Sequence, residues 1–134
     1  MNFSTINWLA VVAAALSSFV IGGIWYSPLL FCNVWMRVAG LTQEHLKTGN
    51  KAKIFGMTAV FSLIMAMNLA MFLSGNKTTI AWGATAGFLA GIWTFCSIAT
   101  LGLFELRNWT YIFINGLYST IALTVMGLIL GAWR

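Results

Sequence analysis

The chain has 134 residues, of which 60% are hydrophobic and 7% charged, with a net charge of +5. Soluble domains carry about 25% charged residues, so a mean hydropathy of +0.90 excludes a water-soluble core, and the chain is too short to add a soluble catalytic module. The basic excess clusters in one connection, the pattern of a membrane topology signal rather than of a nucleic-acid partner, which is not expected.

Charged residues leave four uncharged runs, 1–36, 54–76, 78–104 and 108–133. Each exceeds the roughly 20 apolar residues a helix needs to cross the hydrocarbon core. The pattern predicts an all-α integral membrane protein: one transmembrane domain over 1–134, with spans at about 5–27, 54–73, 79–104 and 109–133. The first span is read as retained, because it lacks a basic leader and ends in Trp25 and Tyr26 instead of a small-residue cleavage site. Pro28 closes it, since proline disfavours helical geometry in the preceding residue.

Residues 29–39 follow, with Leu30, Phe31, Val34, Trp35 and Val38 on one stripe. Too short to span, this segment is expected to be an amphipathic interfacial helix between the first and second spans. Gly40 stops it, Thr42 caps a short turn through Lys47, and Gly49-Asn50 resets the chain before the second span. The connections 74–78 and 105–108 are tight, which predicts that consecutive helices are antiparallel neighbours.

Arg37, Lys47, Lys51, Lys53 and Arg107 fall on one side and Lys77 and Arg134 on the other. The bias puts the long connection in the cytoplasm and both termini outside, and suits a bacterial inner membrane. Lys47, Lys51 and Lys53 would then meet anionic lipid headgroups, at about 1 kcal/mol per basic residue.

Helices in lipid associate through small residues and buried polar contacts. Gly83, Gly87 and Gly91 in the third span and Gly127 and Gly131 in the fourth would share the outer half of the bilayer and pack closely there. The inner halves carry larger or polar groups, which predicts a wedge that widens toward the cytoplasm around Asn115, with Tyr26, Ser97, Thr100 and Tyr118 as candidate pocket residues. Structural glue is the competing reading of those residues, because Ser and Thr in membrane helices usually bond their own backbone. Asn68 falls at a different depth and is expected to make a separate interhelical contact.

No Asp, Glu, Lys, Arg or His lies within a span, so the carboxylate of a proton-coupled antiporter is missing. Glu105 and Arg107 flank the turn after the third span; at this spacing they share no helix face, so the turn must bring them together if they pair. Glu44 and His45 read as surface, and no catalytic motif, metal-ligand cluster or cofactor fingerprint is present, which leaves an enzyme unsupported.

Several stretches resemble the bacterial and fungal membrane family called domain of unknown function 1761. They are Asn7 to Ala10, Gly22 to Phe31 (GGIWYSPLLF), Trp35 to Arg37, Gly40 to Thr42, Ala52 to Gly56, Leu103 to Glu105, Ile114 to Gly116 and Met126 to Trp133. The resemblance implies a small four-helix membrane protein and lends no substrate. Two functions stay open: a homo-oligomeric channel or carrier for a small neutral solute, or a non-transporting accessory protein that binds another membrane protein or lipid.

Overall fold

The structure is a computed structural model and describes residues 3–75 and 77–133. Arg134, counted among the outer charges, lies outside the described residues. After a 3₁₀ turn at Phe3–Thr5, the helices are α1 (Trp8–Trp25), α2 (Cys32–Ala39), α3 (Gln43–Lys47), α4 (Lys51–Phe72), α5 (Ile80–Phe104) and α6 (Trp109–Ala132). Of these, α1, α4, α5 and α6 are long and apolar enough to cross a membrane.

Each long helix starts at a side-chain cap. Asn7 accepts from the N–H groups of Leu9 and Ala10 at 3.1 and 3.2 Å, and Asn50 from Lys53 at 3.2 Å. Thr79 accepts from Trp82 at 3.1 Å and Asn108 from Tyr111 at 2.9 Å. Such caps contribute about 1 kcal/mol each. The Asn50 cap starts α4 at Lys51, ahead of Ile54 where the charge pattern begins the span, and the exposed Lys51 and Lys53 sit in its first turn. Thr42 caps α3 as its position predicts, accepting from the His45 N–H at 3.1 Å.

Past α1 the chain bends tightly. The carbonyls of Trp25 and Ser27 are taken by the N–H groups of Phe31 and Cys32 at 3.1 and 3.2 Å, so α2 begins at Cys32 rather than at Leu29. Gly40 ends it in the left-handed conformation (φ 71°), with the Leu41 N–H returning to the Met36 carbonyl at 2.8 Å. The end of α5 repeats this geometry: the Arg107 N–H meets the Gly102 carbonyl at 2.8 Å and the Leu106 N–H meets that of Leu103 at 3.2 Å. Here, however, the left-handed residue is Leu106 (φ 58°), 91% exposed. A side chain in that conformation costs about 1 kcal/mol or more. Leu106→Gly is therefore expected to raise the unfolding free energy by about 1 kcal/mol, because no packing is lost. Unfolding by SDS titration in mixed micelles would measure it, and a loss of stability would contradict the strain.

The hub of the fold is α6, which packs along α5 and against α1, while α4 packs on α1. The glycine rows predicted for close packing form the α5–α6 seam: Gly83 meets Gly127 and Gly131, Gly87 meets Leu123 and Thr124, and Gly91 meets Thr120. The Thr120 hydroxyl lies 2.9 Å from its own helix at the Gly116 carbonyl and 3.1 Å from the Gly91 carbonyl of α5. On the other side, Ala10, Ala14 and Ala15 of α1 join Ala66 and Ala70 of α4 and Leu123 and Met126 of α6 in one buried cluster. Ser18 and Ser62 meet within it at 3.2 Å.

Two expectations are corrected. In the inner half of the α5–α6 pair, side chains take the place of backbone contact and fill the expected wedge: Gly102 backs onto Ile112, and Gly116 onto the Phe95 ring. And α4 and α5 are not packed neighbours along their length, although a short turn joins them. The small-residue face of α4 is turned to α1 and that of α5 to α6, which leaves an open groove of about 410 Å³ between them, with Leu123 of α6 at its floor.

Candidate functional site

The polar side chains gather at the end of the bundle that holds α2, α3 and the α5–α6 turn. Tyr26, just past α1, donates its hydroxyl proton to Asn115 Oδ1 at 2.6 Å, and Asn115 Nδ2 donates to the Tyr111 carbonyl one turn earlier in α6 at 3.0 Å. Beside them the Trp25 indole N–H donates to the Ile114 carbonyl at 2.9 Å, and Tyr118 Oη donates to the Ser18 carbonyl at 3.0 Å. Four side-chain bonds thus engage α6, and three of them tie it to α1 or the residue that follows α1.

Aromatic rings complete the junction. Tyr26 meets Tyr118 and Trp35 edge-on, with centroids 5.3 and 5.2 Å apart, which brings α2 onto α6. Trp25 and Phe31 lie 4.7 Å apart and brace the turn between α1 and α2. A Cβ on Gly22 would stand 3.0 Å from Tyr118 Oη, so glycine there gives Tyr118 its path to the α1 backbone.

Arg107 latches the same end from the other side. Its guanidinium sits 5.0 Å from the Tyr111 ring centre, and Nη1 donates to the Ala39 carbonyl at the end of α2 at 3.4 Å. The left-handed Leu106 turns Arg107 back toward Glu105, with Nε 3.8 Å from Oε2, so the turn supplies the proximity that helical spacing denies. That distance is beyond a hydrogen bond and Glu105 is 59% exposed, so the pair is worth at most about 1 kcal/mol. Lys47, Lys51, Lys53 and Arg37 are exposed at this end, as are Glu44 and His45 of α3.

Of the five candidate pocket residues, the structure brings together Tyr26, Asn115 and Tyr118 and leaves out Ser97 and Thr100. Both are exposed on α5, and the Thr100 hydroxyl donates to the Cys96 carbonyl of its own helix at 2.8 Å. Asn68 does not contact another helix through a hydrogen bond: it is exposed and lines the α4–α5 groove. Sequence reasoning missed Trp25, Trp35 and Tyr111: the Trp25 indole and the Trp35 ring act as interhelical ties, while Tyr111 offers its ring to Arg107 and its carbonyl to Asn115. The adjacency of Trp25 to Tyr26 at the helix end was the available signal, since neighbouring residues at a helix terminus point to different partners on α6.

Chemically, this arrangement holds helices at fixed distances. Each polar atom of the Tyr26–Asn115 pair has a partner that the pair or the α6 backbone supplies. The family described as protein of unknown function (DUF1761) matches residues 9–131, nearly the whole chain. No curated protein and no solved structure matches.

Proposed function

The chain belongs to the DUF1761 family, whose description carries no activity, and from the geometry we propose that it is a non-transporting accessory protein of the membrane, built to present a surface to lipid or to another membrane protein. The Tyr26–Asn115 bond carries this reading. A solute pocket needs polar groups free to exchange partners, whereas this pair is closed at 2.6 Å and continued into the α6 backbone. What the clamp positions is α2 and the basic connection after it, with Arg37, Lys47, Lys51 and Lys53 exposed. On this reading α2 lies in the interface of a bacterial inner membrane, the basic end faces the cytoplasm, both termini face outward, and the lysines meet anionic headgroups.

The rival is a channel or carrier for a small neutral solute at Asn115. It draws on the same polar residues but loses Ser97 and Thr100 as lining. Asn115→Leu separates the two. The accessory reading expects a loss of about 1 kcal/mol of stability, the usual scale for an interhelical hydrogen bond in a bilayer, with no change in the leak of glycerol or urea from reconstituted vesicles. A changed leak in folded Asn115→Leu protein would sink the accessory reading and restore the channel.

A further inference from the structure

The α4–α5 groove is open on the lipid-facing side, and two of its side chains are misplaced for a lipid surface. Asn68 is an exposed amide with no hydrogen-bond partner among the described residues. It stands four residues before the end of α4, about 6 Å into the apolar stretch. Trp93 is 78% exposed on the groove wall, near the middle of α5, although tryptophan favours the membrane–water interface. Hydrocarbon offers an amide no partner, and leaving one unpaired there costs several kcal/mol.

From this we infer that the groove is the docking face for a second copy of this chain, with Asn68 hydrogen-bonding to its own counterpart across a two-fold axis along the membrane normal. The amide carries both donors and an acceptor, so two copies satisfy each other without any further residue. A two-fold axis in that direction keeps equal residues at equal depth, which is the condition for such a pair. An acyl chain would fill the groove but leave the amide unpaired. A foreign helix would need a matching donor and acceptor at this depth, which a second copy has by construction.

Trp93 supplies the large flat side chain that anchors interfaces. The glycines of the α5–α6 seam are already occupied inside one protomer, since Gly83, Gly87, Gly91, Gly127 and Gly131 all face backbone of the neighbouring helix, and the unoccupied Gly23 and Gly56 offer no polar group to pair. The dimer face is independent of the proposed function, because an accessory protein and a channel could both use it.

The full chain labelled with a donor or an acceptor fluorophore, and reconstituted in phosphatidylethanolamine–phosphatidylglycerol vesicles over a range of dilutions, tests it by energy transfer. The wild type is expected to dimerise, Asn68→Leu to weaken the dimer about tenfold, and Asn68→Gln to restore much of it. Trp93→Ala, a lipid-facing truncation that leaves the monomer core intact, should weaken it separately. With Cys32 and Cys96 replaced by serine, Met65→Cys on the groove wall should cross-link while Leu16→Cys on the outer face of α1 should not. Unchanged dimerisation in both Asn68→Leu and Trp93→Ala would overturn the inference. So would cross-linking through Leu16→Cys, or a strictly monomeric chain whose groove retains a lipid or another protein.

Discussion

Gly127→Leu is expected to abolish the packing of α5 on α6. A Cβ at this position would press into the Gly83 carbonyl oxygen, and the next nearest atoms, the Gly83 carbonyl carbon at 2.9 Å and Gly87 Cα at 3.1 Å, are also backbone. Backbone cannot rotate aside as a side chain can, so the helices must separate. Separation also withdraws Gly91 from Thr120 and breaks the hydroxyl contact to the Gly91 carbonyl. The cost is about 3 kcal/mol or more, a large fraction of the stability of a small domain. SDS unfolding and the yield of monodisperse protein in mild detergent would read it, with Gly127→Ala intermediate. Gly23→Leu and Gly56→Leu serve as controls, because a Cβ at either meets nothing within 4 Å. Equal stability of Gly127→Leu and these controls would refute the assigned seam.

Trp25→Ala is expected to cost about 2 kcal/mol. In water, truncating a buried tryptophan costs about 3–5 kcal/mol, but lipid replaces part of that burial, leaving the lost packing and the lost bond to the Ile114 carbonyl. Trp25→Phe keeps a ring against Phe31 and should lose about 1 kcal/mol, the share of the hydrogen bond. The effect should be local: faster hydrogen exchange over 26–41, where the turn and α2 depend on Trp25 and Phe31, with the α5–α6 seam unchanged. Uniformly faster exchange across α5 and α6 would mean that the clamp supports the whole bundle instead.

The span count was legible because one physical demand governs it: in hydrocarbon every backbone polar group needs a partner within its own helix, and charged residues are kept out. The Gly83–Gly91 and Gly127–Gly131 rows were legible for a similar reason, since close approach of backbones needs small residues at a shared depth. Which face of each helix turns inward was harder to read. Lipid is as apolar as the core, so hydropathy does not distinguish inside from outside in these four helices, and helix phase has to be read from the small residues. Thr100 stands nine positions after Gly91, about half a turn out of phase with the seam, while Gly102 stands eleven positions after it and falls back in phase. Depth alone puts Thr100 near Asn115; phase puts it on the opposite side of α5.

Neighbour relations were the least legible. The short 73–79 connection suggests that α4 and α5 pack, yet a tight turn fixes only where two helices begin and not how they diverge. The choice of partner falls to the small-residue faces, and those of α4 and α5 select different helices. The Trp25 tie was hidden for another reason, since an indole at a helix end has an interface role that explains it without any contact.

That α6 is the common partner also bears on biogenesis. As the chain emerges from the ribosome, α1 and α4 can already close on each other through their alanine and serine faces. By contrast α5, whose packing is almost all against α6, enters the bilayer with a bare glycine ridge and no mate. Until the last helix arrives, that ridge is available to any passing helix with a small-residue face. A pause in translation between α5 and α6 would therefore expose this protein to mispairing and to membrane proteases more than a pause at any earlier connection.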